Sequence, residues 1–341
     1  MMSKISKLLL PWYDRNARKL PWRENADPYR VWISEIMLQQ TRVEAVLPYY
    51  NRFLTALPNI KALSIVSDGQ LFKLWEGLGY YSRAKNLKKA ACDIESRFGG
   101  VFPNKYDDIL SLPGIGPYTA GAISSICFNE LRAAVDGNVL RIFTRLTEDK
   151  SPIDSAETKK KITAAVRDLY PKTRCGDFTQ ALMELGATVC TPKSPKCEIC
   201  PVGALCLAKK HGTALNYPVK SEKKEKKTEQ KTVFLLRCEN AFALHHRPQG
   251  GLLGGLWELP NTEGILTAQQ ALQWTKNAGA RPKELCKKVQ KSHIFTHKIW
   301  EMTCYHILCA EKSDNFVWKT MEEIRKDYAL PTAFRMFIDG E

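Results

Sequence analysis

From the N-terminus to about residue 212 the apolar positions recur at helical spacing, and no stretch alternates long enough to read as a strand. Tyr29 to Gln40 reads as an apolar-rich helix entered through Pro28. Ser82 to Phe98 reads as a helix with a basic face of Arg83, Lys85, Lys88 and Lys89. Tyr118 to Ile126 reads as a third, packing through Ala120, Ala122 and Ile123. Residues 154–169 open on a capping box, Asp154 with Glu157, and keep the helical period. Thr179 to Val189 makes a short helix that runs into Cys190. The pattern then breaks. Residues 213–231, TALNYPVKSEKKEKKTEQK, are lysine-rich and almost free of large apolar side chains after Val219. They read as an exposed linker, for which a solvated spacer and a phosphate-contacting tether are both open. Beyond it, Thr232–Arg237 and Ala241–Arg247 read as strands joined by a turn at Glu239–Asn240. Leu285–Phe295 and Trp300–Leu308 suggest two more, with a helix over Ala268–Ala278 between. The expected architecture is therefore an all-α domain over 1–212, a basic linker over 213–231 and an α+β domain over 232–341.

A chain of 341 residues is long enough for two domains with separate cores. Its net charge of +15 is unevenly spread. Residues 1–212 hold 31 Lys and Arg against 21 Asp and Glu, whereas residues 232–341 hold 14 against 12. The basic excess thus accompanies the helical part and points to a polyanion, most simply nucleic acid, although an acidic protein or membrane surface fits charge alone. No apolar run approaches the roughly 20 residues that span a bilayer. The N-terminal MMSKISKLLLPWYDRNARK has too short an apolar stretch for a secretory signal, so a cytosolic protein is expected. Eleven cysteines, an odd number, argue against a disulfide framework in such a compartment.

Three places carry chemistry. In Leu112–Asn138, LPGIGPYTAGAISSICFNELRAAVDGN, a Pro-Gly-x-Gly turn precedes a helix. Gly114 and Gly116 permit positive φ and a close approach of backbone to ligand, so the N–H groups at the helix start favour an anion. The same stretch closes on Asp136, a carboxylate placed to start a helix. A second carboxylate, Glu35, interrupts the apolar run VWISEIMLQQT. It is either a surface residue of an amphipathic helix or a partly buried acid with a raised pKa, and both remain open. Four cysteines, Cys190, Cys197, Cys200 and Cys206, are spaced C-x6-C-x2-C-x5-C. Four thiolates so close together imply a metal. A single C-x2-C knuckle and a compact Pro-rich loop suit an iron–sulfur cluster better than a zinc ribbon, without removing zinc.

Taken together these motifs resemble the MutY family of adenine DNA glycosylases, within the helix-hairpin-helix superfamily. The resemblance covers nearly the whole chain: LPWR at 20–23, SEIMLQQTRV at 34–43, WEGLGYYSRAKNL at 75–87, LPGIGPYTAGAI, VDGNVLR at 135–141, the four cysteines, and LLGGLWELP and FTH in the second part. It implies a helix-hairpin-helix glycosylase domain with a [4Fe–4S] cluster on the four cysteines, followed by a Nudix-like domain that recognises 8-oxoguanine. It implies double-stranded DNA with A:8-oxoguanine or A:G mispairs as the partner, a monomer sufficing, and a cytoplasmic, nucleoid-associated site of action if bacterial. Glu35 matches the general acid that protonates adenine, and Asp136 the carboxylate that stabilises the oxocarbenium-like sugar. Asn138 would orient Asp136, and Tyr118 would line the sugar site. Trp22, Arg23, Gln180 and Glu184 fall where the family meets the flipped adenine. Gln40, Thr41, Leu78 and Tyr80 match the residues around 8-oxoguanine, and Phe295, Thr296 and His297 match its contact loop. Gly114 and Gly116 would hold a DNA phosphate.

Two departures matter. The related lyase branch carries a Schiff-base lysine where this chain has Tyr118, so the resemblance implies base removal without efficient strand cutting. Residues 295–297 read Phe-Thr-His where most relatives have Phe-Ser-His, which keeps the hydroxyl and adds a methyl. The alternative of a Nudix pyrophosphohydrolase lacks its metal-holding glutamates, because no carboxylate occurs from Leu266 to Pro282. A DNA reader without catalysis would be expected to replace Glu35 or Asp136, and both are present.

Overall fold

The computed structural model describes residues 4–222 and 225–339. Its first twelve helices are α1 (Ile5–Asn16), α2 (Pro28–Leu38), α3 (Val43–Ala56), α4 (Ile60–Ile65), α5 (Asp68–Trp75), α6 (Ser82–Phe98), α7 (Tyr106–Leu110), α8 (Pro117–Phe128), α9 (Gly137–Thr147), α10 (Ala156–Arg167), α11 (Cys175–Thr188) and α12 (Leu207–Lys210). Strands β1 (Lys227–Cys238), β2 (Ala241–His246), β3 (Trp257–Glu258) and β4 (Asn261–Glu263) follow. Then come α13 (Ala268–Asn277), β5 (Arg281–Ile294), β6 (Lys298–Glu311), β7 (Val317–Thr320), α14 (Met321–Asp327) and α15 (Thr332–Ile338). None of the helices is long and apolar enough to cross a membrane among the described residues.

The chain forms two compact units, one of Met1–Ile65 with Asn86–Lys223, the other of Val66–Lys85 with Lys224–Glu341. The chain passes between them three times, after residues 65, 85 and 223, and the last passage lies within the expected 213–231 linker. In the first unit, α1, α9, α10 and α11 share a core built on Leu9, Ile142, Phe143, Val166, Phe178 and Leu185. Helix α9 is strongly amphipathic, and its inner face meets α11.

Segment 213–231 is anchored at its start, while its described residues 220–222 and 225–228 are exposed as a linker would be. Tyr217 is buried and its carbonyl accepts from Arg145 Nε at 3.1 Å. The carbonyl of Val219 accepts from the Ile153 N–H at 2.9 Å, and β1 has begun by Lys227. Residues 223 and 224 of the segment lie outside the described residues. The expected capping box also shifts. Ser155, not Asp154, caps α10, accepting from the Thr158 N–H, while Asp154 accepts from the backbone and hydroxyl of Ser221.

In the second unit the sheet order is β3-β2-β1-β6-β5, with β4 on β1 and β7 on β2. The β1–β6 pair is parallel and the β5–β6 hairpin antiparallel. Strand β1 is buried on both faces, and alternation sorts its side chains into two layers. Val233 and Leu235 pack with Trp300, Met302, Phe334 and Phe337 on one side. Phe234 and Leu236 pack with Ala271, Tyr305 and Ile307 on the other. Helix α13 therefore covers one face and α14 with α15 the other.

Candidate active site and cysteine loop

Helix α2 is capped by Asp27 and buries Val31, Trp32, Ile33, Ile36 and Met37. A helix buried nearly all round takes its polar residues in with it, and Glu35 is only 6 % exposed. The Tyr118 hydroxyl, from the first turn of α8, donates to Glu35 Oε2 at 2.8 Å. Burial pushes the Glu35 carboxyl up from 4.5 to about 7; the Tyr118 bond opposes this, Asp136 adds to it and Arg23 opposes it.

Asp136 caps α9. Its Oδ1 accepts from the Val139 N–H at 2.8 Å and its Oδ2 from Asn138 Nδ2 at 2.7 Å. Burial raises its pKa, against the pull of those donors and of Arg141. Asn138 is itself held, because Arg141 Nη2 donates to its Oδ1 at 2.8 Å and to the Gly186 carbonyl at 2.7 Å. Gly186 allows this approach. A Cβ there would lie 2.4 Å from that of Asn138, so any side chain would push α11 off the Asp136 cap.

A third carboxylate, Glu184 on α11, is fully buried but paired. Arg18 Nε and Nη2 reach it at 2.6 and 3.1 Å and Arg23 Nη2 at 2.9 Å. Burial works against its charge, yet the Arg18 bonds and the Arg23 charge outweigh it and lower the pKa. Trp22 is buried edge-on against Tyr50, and Gln180 is half-buried on α11. In the hairpin between α7 and α8, Gly114 has φ +78° and no room for a Cβ beside Asn86. Gly116 sits at φ −97°, so the expected positive φ occurs at Gly114 alone. It is the residue at the α8 N-terminus, whose first N–H groups lack helical partners.

Cys190, Cys197, Cys200 and Cys206 line one small pocket with Arg145 and Lys209. Arg145 donates to Cys190 Sγ at 3.3 Å and to the carbonyls of Thr191 and Pro192. Burial, and then the other three thiols, raise Cys200 to about 11 against the Val202 N–H. Burial likewise raises the Cys206 thiol.

In the second unit Tyr80 is exposed, in the left-handed region at φ +48°, and its hydroxyl lies 3.4 Å from Thr296 Oγ1. Leu78 beside it is buried. Phe295 packs edge-on against Trp300 and His293, and Thr296 and His297 are exposed. In the first unit Gln40 is exposed at φ +58°, just past α2, with Thr41 half-buried after it.

The chain has matches along most of its length. A model of the HhH-GPD superfamily base excision DNA repair proteins covers residues 33–172. The iron–sulfur binding domain of endonuclease III covers 190–206, and the NUDIX domain 232–340. The adenine DNA glycosylase of Buchnera aphidicola subsp. Acyrthosiphon pisum (strain APS) is 36 % identical over 296 residues, 86 % of this chain and 84 % of that one. The chain belongs to the MutY family of adenine DNA glycosylases. The Homo sapiens adenine DNA glycosylase is 35 % identical over 307 residues, 74 % of this chain and 56 % of its own. Among solved structures, a thermostable thymine-DNA glycosylase matches 62 % of this chain and 97 % of its own, with TM-score 0.57 and 29 % identity. An endonuclease III–DNA complex shares the fold at TM-score 0.53 and 21 % identity.

Membership settles the cofactor as a [4Fe–4S] cluster on the 190–206 loop. The residues fit it. Four thiols line one shared pocket beside Arg145 and Lys209. A cluster bound there supplies the positive charge that lets the thiolates form.

Sequence reasoning missed three arginines of this glycosylase. Arg18 lies in a charged stretch that nothing marks out. Arg141 and Arg145 were legible in principle, since Asn138, Arg141 and Arg145 recur every three or four residues on one face of α9. Through them α9 meets the cap of Asp136 and the cysteine loop on the same side, with Arg141 Nε donating to the Cys190 carbonyl at 2.8 Å.

Proposed function

We propose that this glycosylase removes adenine mispaired with 8-oxoguanine or guanine in duplex DNA and leaves the strand uncut. The observation that carries the reading is Glu35: a buried carboxyl whose pKa, about 7, keeps a proton available at neutral pH. With Tyr118 bonded to Oε2, Oε1 is left to give its proton to N7 of a flipped adenine. Base extrusion is required because the glycosidic bond is out of reach inside the duplex. As the C1′–N9 bond breaks, the electron pair leaves with the protonated base. Asp136, held by Val139 and Asn138, stabilises the oxocarbenium-like sugar. Water then adds to C1′ and its proton returns to a carboxylate.

Trp22, Arg23, Gln180 and Glu184 form the base pocket. The charged Glu184 suits an acceptor for the adenine amino group, which guanine does not offer at that position. Gly114 and Gly116 hold a phosphate on the α8 N-terminus. Within the second unit Tyr80, with Leu78 supporting the turn beneath, reads the opposite base with Phe295, Thr296 and His297, and in the first unit Gln40 and Thr41 keep the lesion-contact role that the family resemblance gives them. The absence of an amine at Tyr118 supports simple hydrolysis over Schiff-base chemistry.

Duplexes carrying adenine opposite 8-oxoguanine or guanine, treated with alkali after incubation, test this. Breaks that need alkali are expected. Breaks without alkali would mean a lyase, and no release from either mispair would remove the reading. Asp136→Asn is expected to stop base release while lesion binding persists.

A further inference from the structure

The sequence pattern placed Arg83 on the basic, solvent face of α6, yet it is 7 % exposed. Its guanidinium is turned into the Gly77–Tyr80 turn. Arg83 Nη2 donates to the carbonyls of Leu78 and Gly79 at 3.2 and 3.1 Å, and Trp75 Nε1 donates to the Gly79 carbonyl at 3.0 Å. The guanidinium carbon lies 5.4 Å from both the Trp75 and the Tyr80 ring centroids. The turn it grips has φ of +98° at Gly77, +70° at Gly79 and +48° at Tyr80. A non-glycine residue holds such a backbone only where its surroundings over-determine it. Here two carbonyl bonds and two ring faces do so.

We propose that Arg83 is a positioning residue that sets the Tyr80 ring and thereby discrimination between 8-oxoguanine and guanine opposite the adenine. The inference rests on the reading that Tyr80 meets that base. A buried guanidinium cannot serve as a phosphate contact, so its basic charge is spent inside the protein. A planar group can face a ring while its N–H bonds stay in plane toward the carbonyls, a geometry that an ammonium does not reproduce. Tyr80 itself is left exposed, with its hydroxyl oxygen accepting from Thr296 Oγ1 of the proposed contact loop.

The test is the ratio of single-turnover excision rates on A:8-oxoguanine and A:G duplexes, taken within one preparation so that the active fraction cancels. Arg83→Lys is expected to lower this ratio about tenfold, the scale of a lost buried cation–π contact. Tyr80→Ala is expected to lower it at least as far, and the double variant no further than Tyr80→Ala alone. Arg83→Gln gives a second substitution with the same expected loss should Arg83→Lys not fold, folding being checked by circular dichroism and iron content. A parental ratio in the folded Arg83 variants, with Tyr80→Ala impaired, overturns the role of Arg83 and spares that of Tyr80. A parental ratio in Tyr80→Ala overturns the reading beneath it. An additive loss in the double variant overturns the route through Tyr80.

Discussion

Glu35 and Glu184 occupy the same unit and both are buried, at 6 % and 0 % exposure, yet they are pushed in opposite directions. Glu35 meets a phenol; Glu184 meets two guanidinium groups. Burial raises the proton affinity of any carboxyl. The sign of the outcome then depends on whether fixed positive charge is in direct hydrogen-bonded contact with it. One helix supplies an acid for neutral pH, the other a permanent acceptor held in place. A buried glutamate is therefore not evidence of acid catalysis until its partners are known.

The comparison can be broken most severely at Glu35. Glu35→Gln keeps the shape but has no proton to give, so base release at neutral pH should fall about a thousandfold in single-turnover assays. A loss below tenfold would remove the assigned role. The parent rate should also decline as pH rises through about 7, and that limb should vanish in the variant.

At Glu184 the expected injury is structural. Arg18→Met removes two of the four hydrogen bonds to its carboxylate and leaves a buried charge under-compensated, which should cost about 3 kcal/mol in urea unfolding. An unchanged midpoint would mean that Arg23 suffices.

The two residues should also give stability opposite pH dependences. A carboxyl whose folded pKa is raised stabilises the fold below its unfolded value and loses that contribution as pH rises. For Glu35 the window runs from 4.5 to about 7. Glu35→Gln should therefore be more stable than the parent at pH 8, by up to about 3 kcal/mol, and equal to it at pH 4. Glu184 has a lowered pKa, so its contribution is present above 4.5 and is lost as pH falls through its folded value. Thermal melts of Glu35→Gln and Arg18→Met across pH separate these cases.

The smallest change is expected from Tyr118→Phe. The lost hydrogen bond favoured the charged carboxyl, so the Glu35 pKa should rise further and the alkaline limb of the rate profile should move up. The rate at pH 7 should change only a few-fold, as befits a single hydrogen bond of about 1 kcal/mol. A limb that moves down would mean that Tyr118 acts by another route.

Much of this arrangement was legible along the chain. The bounds of α6 were met at both ends, and the β1–β2 turn falls at Glu239–Asn240 as the alternation predicts. An acid interrupting an apolar run left Glu35 open between a surface and a buried place, and the packing of α2 decided for burial. An Asp-Gly-Asn before an amphipathic stretch pointed to Asp136 at a helix start. Other features carried no local mark. Helix α1 contains Pro11 and few apolar residues on its outer face, and its start passed for a failed signal segment. Asp154 with Glu157 read as the capping box, but Ser155 takes the cap while Asp154 accepts from Ser221, far along the chain.

The elements, their periods and the kinds of side chain available at each position follow from local rules, because propensity, alternation and capping act within a few residues. The protonation of the two glutamates, the inward turn of Arg83 and the joining of residues 66–85 to the second unit do not. Each depends on partners brought from elsewhere in the chain, and charge, desolvation and packing are felt only once those partners are within a few ångströms.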